Sequence, residues 1–151
     1  MAGVVEQIAI SPVESALPER VETVEVLAAQ GPRGDRYFAE RPRDPQGEGE
    51  DLTLIEAEAL EAFTAETGIG LTHEESRRNV LTRGIRLNEL VGKRFAVGGV
   101  ECVGVELCEP CSHLQGLTRD GVLRGLVHRG GLRADVIAGG TIATGDEIAE
   151  L

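Results

Sequence analysis

The sequence predicts a mostly β barrel carrying one principal helix, and three observations lead there. Short runs of Val, Ile, Leu and Ala recur along the chain, and glycine closes them, most plainly at Gly98-Gly99, Gly139-Gly140 and Gly145-Asp146. Only one stretch, residues 56–67 (EAEALEAFTAET), has the composition and length of a good helix. Strands do not alternate with long helices, as a doubly wound sheet would require. With 151 residues, 20 glycines and 3% aromatic content, the chain predicts a single domain, 1–151, with an aliphatic core.

Taken in order, residues 4–10 (VVEQIAI) predict a strand ended by Ser11-Pro12, and residues 21–27 predict a second by their alternation. The glycines and proline of residues 30–37 turn the chain, and residues 41–51 (RPRDPQGEGED) contain no apolar side chain and predict a loop. Residues 52–55 form a brief strand before the helix at 56–67, whose apolar side is Ala59, Leu60 and Phe63 and whose stop is Gly68. Val80-Leu81 begins a short strand turned by Gly84, and residues 87–91 predict one helical turn ended by Gly92. Residues 94–97 and 100–107 around Gly98-Gly99 carry the strongest hairpin signal. Residues 132–138, 141–143 and 147–149 complete the strands.

Charge narrows the function classes. The net charge of −11 argues against general nucleic-acid binding, which depends on neutralising phosphates. The charge is unevenly placed. Residues 1–76 carry 5 basic and 17 acidic side chains, residues 77–133 carry 10 and 5, and residues 134–151 carry none and 4. The basic third favours a small anionic ligand. No apolar run approaches the ~20 residues that span a bilayer, and the first residues lack the pattern of a secretory signal. Three cysteines do not suggest a disulfide framework, so a reducing cytoplasm is the expected location.

The basic third also holds Cys108 and Cys111, separated by Glu109-Pro110 at the end of a predicted strand. This spacing leaves several chemistries open. It could provide a zinc site completed by His113 or His128, a redox dithiol, a single metal or sulfur ligand with a neighbouring thiol, or two buried structural thiols. Pro110 should end the strand, and a helix starting at Ser112 would place Cys111 near its N-cap, where a thiolate is favoured. Cys102, inside a strand pattern, is expected to pack in the core. Asp35 and Asp146 follow glycines and are expected to bond nearby amides in turns. Asn79 is expected either to cap backbone or to touch a ligand.

The order of several motifs resembles the MOSC domain, the module found at the C-terminus of molybdenum cofactor sulfurases and as small free-standing proteins. The matching pieces are Gly34-Asp35-Arg36, Thr53-Leu54-Ile55-Glu56, Arg77-Arg78-Asn79 with Gly84, Leu90-Val91-Gly92 with Phe95 and Gly98, Pro110-Cys111, Arg129-Gly130-Gly131 with Ala134, and Gly140 through Gly145-Asp146. The resemblance implies a barrel related to the pyruvate kinase β-barrel domain, with one main helix and short helical turns. It implies that Cys111 is the functional cysteine, as ligand of molybdenum or as sulfur carrier. Family-level pyridoxal phosphate binding and an uncharacterised catalytic activity belong to the same expectation.

The expected function is therefore binding of the molybdenum cofactor or a related sulfur–metal species. Arg77, Arg78 and Arg129 would hold its anionic phosphate, with Asn79 and Gly130 contributing polar contacts. The alternatives are a zinc or dithiol redox protein using Cys108 and Cys111, and a non-catalytic β-barrel interaction module. The expected partners are a small anionic cofactor or a sulfur-donor protein, with neither nucleic acid nor membrane.

Overall fold

A computed structural model describes residues 2–13, 16–44, 49–108, 121, 126 and 128–151 of the chain. The first four strands are β1 (Ala2–Ile10), β2 (Glu19–Val21), β3 (Thr23–Leu27) and β4 (Gly31–Pro32). After β5 (Leu52–Glu56) come the helices α1 (Ala57–Thr67) and α2 (His73–Ser76), then β6 (Val80–Arg83) and a 3-10 turn at Leu87–Leu90. The remaining strands are β7 (Arg94–Val97), β8 (Val100–Leu107), β9 (Leu132–Ala138), β10 (Gly140–Ala143) and β11 (Glu147–Glu150).

Seven strands close on themselves in the order β1, β6, β5, β9, β8, β7 and β11, with β11 pairing back onto β1. Closure removes the unpaired edges that a flat sheet would present. The first strand spans more than one partner: Ala2 faces Ala149 of β11, while Ile10 faces Glu19 of β2. Strands β10, β3 and β4 form a second, smaller sheet. Among the described strands, all strand-to-strand pairings are antiparallel except β5 with β6, which run parallel and are joined through α1 and α2.

Two apolar clusters follow from the strand periodicity. Leu52 and Leu54 of β5 and Val80 of β6 point into the barrel with Phe95, Val97, Cys102, Leu132 and Ile148. Ile55 and Leu81, on the opposite faces of the same two strands, pack with Leu60 and Phe63 of α1. Strands buried on both faces read as continuous apolar runs, which is why LTLI is almost unbroken. Gly68 ends α1 in the left-handed conformation (φ 74°), its N–H bonded to the Thr64 carbonyl, as the sequence predicts.

Two expectations need correction in detail. The stretch 21–27 is not one strand. It divides at Glu22, whose carbonyl accepts a hydrogen bond from the Thr144 N–H at 3.0 Å, so β2 stays with β1 while β3 joins β10. The sequence reading also did not anticipate α2. Its signal was present as a capping box: the Glu75 N–H donates to Thr72 Oγ1 at 3.1 Å, and the Thr72 N–H donates to Glu75 Oε1 at 3.0 Å.

This short helix fixes the turn that leads into β6. His73 is 4% exposed, and burial pushes its imidazole down to about 4, so it is neutral. Its Nδ1 accepts from the Gln7 amide at 3.0 Å and its Nε2 donates to the Arg78 carbonyl at 2.8 Å, an arrangement that selects one tautomer. Gln7 follows a bulge in β1, between Val5 and Gln7 in the β6 register. Among the described residues, no helix is long and apolar enough to cross a membrane.

Two predictions follow. A Cβ at Gly131 (φ 111°) would lie 2.0 Å from the Leu54 carbonyl oxygen, whereas a Cβ at Gly68 would meet nothing within 4 Å. Gly68→Ala should cost about 1 kcal/mol of backbone strain, and Gly131→Ala roughly 3 kcal/mol or more, read as shifts in urea midpoint. His73 binds a proton in the unfolded chain below its ordinary pKa of 6.5 but resists it in the fold down to about 4. Its contribution is complete above pH 6.5 and falls with pH through that window. Wild type should thus lose roughly 2 kcal/mol more than His73→Gln between about pH 7 and 5, measured by denaturant titration at each pH.

Candidate functional site

A cleft of about 720 Å³ opens where the C-terminal ends of β1 and β8 meet the turn before β6. Ser11, immediately after β1, lies on one side with Asp35, Arg36 and Tyr37. The turn contributes Arg77, Arg78 and Asn79, and Cys108 follows β8 on the wall. A cavity of this size can take a drug-sized or cofactor-sized ligand.

Asn79 is committed largely to the barrel. Its Oδ1 accepts from the Thr53 N–H and hydroxyl at 3.2 and 3.1 Å, and its Nδ2 donates to the Ala9 carbonyl at 3.3 Å. Its backbone N–H donates to Thr53 as well, so this one residue joins β5 and β1 at the start of the strand between them. Of the two roles expected for Asn79, these contacts supply the backbone one. Its place on the cleft lining leaves the ligand role as a proposal.

Arg78 joins both ends of the chain segment that leaves β8 and returns at β9. Its Nη2 donates to the Cys108 carbonyl at 3.0 Å, its Nε to the Gly130 carbonyl at 2.8 Å, and its Nη1 to the Ser76 carbonyl at 3.1 Å. The Cys108 N–H donates to the Gly131 carbonyl at 2.7 Å alongside. Gly130 therefore enters the site through its carbonyl oxygen. Arg129 does not line the cleft; its guanidinium pairs with Glu66 in the last turn of α1.

Arg77 sits at the C-cap of α2 with φ 62°, a backbone conformation in which glycine is usual. Its side chain donates to the Ala16 carbonyl at 2.7 Å and to Ser11 Oγ at 3.1 Å. Arg36 donates to the same hydroxyl at 2.7 Å and to the Tyr37 hydroxyl at 3.1 Å, with its guanidinium 4.4 Å from the Tyr37 ring centre. Asp35 braces this corner by accepting from the Ser11 and Tyr37 N–H groups, the turn role expected for it.

Charge is compensated unequally across the cleft. Arg43 pairs with Asp51 and Glu50, and Arg133 with Glu106 at 3.3 Å. Burial alone would make Arg133 less basic, but Cys108 and Glu106 nearby together hold it above its usual value. By contrast, the hydrogen bonds of Arg36 and Arg78 all go to neutral oxygens among the described residues. That side is suited to an anion.

The cysteines separate by environment. Cys102 is fully buried among the core residues, and burial drives its thiol far above the ordinary range, which fits the packing role expected for it. Cys108 is 8% exposed on the cleft wall. Cys111, with Pro110, Ser112 and His113, lies outside the described residues, and so does the helix start expected there; β8 itself ends at Leu107, ahead of Pro110. His128 has φ 64°, and its carbonyl accepts from Asn88 at 2.9 Å. Among the described residues, no group of three or more His, Cys, Asp or Glu side chains could hold a metal ion. The sequence reading did not select Ser11, Arg36 or Tyr37 as site residues. The available signal was Gly34-Asp35-Arg36, which it read as a turn and a family motif.

Comparison with known proteins bears on the fold. The YuaD protein of Bacillus subtilis superposes with a TM-score of 0.79 at 19% identity, covering 98% of this chain and 94% of that one. YiiM of Geobacillus stearothermophilus gives 0.73 at 15%, with coverage of 100% and 75%. YiiM of Escherichia coli gives 0.70 at 16%, with coverage of 100% and 70%. No curated protein matches the sequence. A model of the MOSC domain matches residues 43–149, most of the barrel and the basic turn of the cleft, and the chain belongs to the MOSC domain family.

Proposed function

We propose that this protein binds the molybdenum cofactor, or a related sulfur–metal species, in the cleft, with Cys111 as metal ligand or sulfur carrier. The observation that carries the proposal is the cationic corner at Ser11, which shares the cleft with Cys108. Two arginines there meet one serine hydroxyl, and Arg36 Nε is buried with no hydrogen-bond partner among the described residues. An anionic, phosphate-bearing group would supply an acceptor for Arg36 Nε and further acceptors for the cationic corner, so the residues present fit such a cofactor.

Cys111 follows Cys108 by three residues, so covalent geometry keeps its Cα within about 11 Å of a residue on the cleft wall. Arg77 and Arg78 would attract and orient the phosphate. Asn79 would keep the turn in register, and the Gly130 carbonyl would hold Arg78 in place. When bound, the cofactor would supply two-electron chemistry at a thiolate-ligated metal. Arg129, engaged with Glu66, is assigned here to stabilising the returning segment beside α1. A sulfur-donor protein is the proposed partner, and the cytoplasm, where thiols stay reduced, the proposed location.

One observation favours a second reading. Cys108 lines the cleft, so the pair Cys108 and Cys111 could instead serve a zinc or dithiol function. Metal analysis of protein made in a molybdenum-sufficient host separates the two. Molybdenum retained in wild type and Cys108→Ser but lost in Cys111→Ser supports the proposal. Zinc in wild type, lost equally from both variants, supports the two-cysteine site and removes the proposal. Alkylation should rank the thiols with Cys111 fastest and Cys102 slowest. A Cys111 no faster than Cys102 at neutral pH would contradict its assignment as a thiolate.

A further inference from the structure

We propose that the protein forms a weak, reversible homodimer through an apolar patch at Val13, Leu17 and Tyr37, beside the mouth of the cleft. This inference stands apart from the identity of the ligand that the cleft takes.

Among the described residues, Val13, Leu17 and Tyr37 are 61%, 62% and 63% exposed, whereas Val4, Val91 and Ile137 reach only 37–41%. Leu151, at 67%, is the other apolar side chain as open as these three. The three are tied to one junction. The Ser11 hydroxyl donates to the Val13 carbonyl at 3.4 Å, and the Ser11 carbonyl accepts from the Arg36 N–H at 2.8 Å. Arg77 donates to the Ala16 carbonyl at 2.7 Å, and the Arg36 guanidinium, bonded to Ser11, lies 4.4 Å from the Tyr37 ring centre. Single exposed apolar residues are ordinary, but a group of them at this exposure marks an interaction surface. Tyr37 also lines the cleft, so an occupant of the patch stands at its mouth.

Charge selects a second copy as that occupant. The chain carries −11, so two copies repel each other over most of their surface. The two segments that bear the patch, residues 11–20 and 33–44, hold five basic and five acidic side chains, Asp35 included. All of the net charge therefore lies elsewhere, and here two copies approach without net repulsion. Opposite signs alternate at Glu40, Arg41, Arg43 and Asp44, so the rim of a two-fold contact can meet its own complement. Side chains of these sizes at this exposure offer roughly 300 Å² of surface, well under the ~800 Å² per partner of a permanent complex, which makes the dimer a weak one.

The contact is made by side chains and not by extension of the sheet. Ala9 of β1 donates its N–H to the Asn79 carbonyl and accepts from Asn79 Nδ2, so its backbone faces β6. Arg20, opposite Ala9 on β2, therefore turns its own N–H and carbonyl outward. An antiparallel pairing of two such edges would set Arg20 against Arg20 of the partner subunit, a like-charge pair that guards the edge.

Sedimentation velocity on the full chain, from about 1 to 500 µM, tests the proposal. The mass should rise from the 16.1 kDa of one chain toward twice that value, with a dissociation constant of about 10–100 µM. Added NaCl should tighten the association, because it screens the −11 on each copy. Tyr37→Glu and Leu17→Glu should each raise the constant at least about tenfold, since a two-fold contact meets every substitution twice. Tyr37→Ser, which adds no charge, should raise it severalfold, and Leu151→Glu should leave it unchanged. All of these variants, being at exposed positions, should melt with wild type; if a glutamate variant does not, Tyr37→Ser decides. A monomer throughout the range, a dimer that the Tyr37 and Leu17 variants leave intact, or one that Leu151→Glu weakens as much overturns the inference.

Discussion

The Arg78 guanidinium reaches the carbonyl oxygens of Cys108 and Gly130 at 3.0 and 2.8 Å, and the organisation of the cleft depends on that span. Charge-assisted bonds of this kind are worth roughly 1.5–3 kcal/mol each, and here they hold together the chain just after β8 and just before β9. The residue is itself held. Its carbonyl accepts from a neutral His73, which is fixed by Gln7 on β1. A carboxylate partner would have cancelled the charge of Arg78; carbonyl partners anchor it and leave the charge in the cleft.

The acidic excess of the chain is compatible with this local polarity because most of the acids serve elsewhere. Glu6 and Glu61 flank Arg83 on the barrel exterior, and Glu101 meets Arg94 across the β7–β8 hairpin. On the cleft itself, Glu50 and Asp51 pair with Arg43 and Glu106 with Arg133, while Asp35, at the corner where Ser11 meets two arginines, accepts from the Ser11 and Tyr37 N–H groups. Exposed pairs such as Arg133 with Glu106 add little stability. Among the described residues, the hydrogen bonds of Arg36 and Arg78 go to neutral oxygens, so their charge is not spent on a carboxylate.

The fold was largely legible because its signals are local. The hairpin at Gly98-Gly99, α1 with its Gly68 stop and the closing strands all carry their own turn chemistry. What escaped depends on partners distant in sequence. The chain at Glu22 changes sheets because Thr144, far along the chain, claims its carbonyl. The parallel pairing of β5 with β6 was likewise not readable from two short apolar runs. The site was legible by residue type at Arg77 and Arg78, since their adjacency before a strand was visible. Ser11, Arg36 and Tyr37 looked like ordinary turn residues. Their common role exists only once β1 and the following turn fold onto each other, which no spacing encodes. The thiol chemistry expected of Cys111 remains a matter of motif and family likeness.

Closure of the barrel by β1 and β11 also constrains how the chain can be made. Val4 pairs with Glu147, so β1 waits for a strand synthesised far later in the chain before the cylinder is complete. The partners available earlier are β2 and β6, which pair with Val4 to Ile10 and leave Ala2 and Gly3 to be paired by β11. An unpaired edge that persists during synthesis can template association between nascent chains. Such non-local closure also slows folding. The seam where the ends of the barrel meet is therefore the place where translation rate and chaperone access bear most directly on the yield of folded protein.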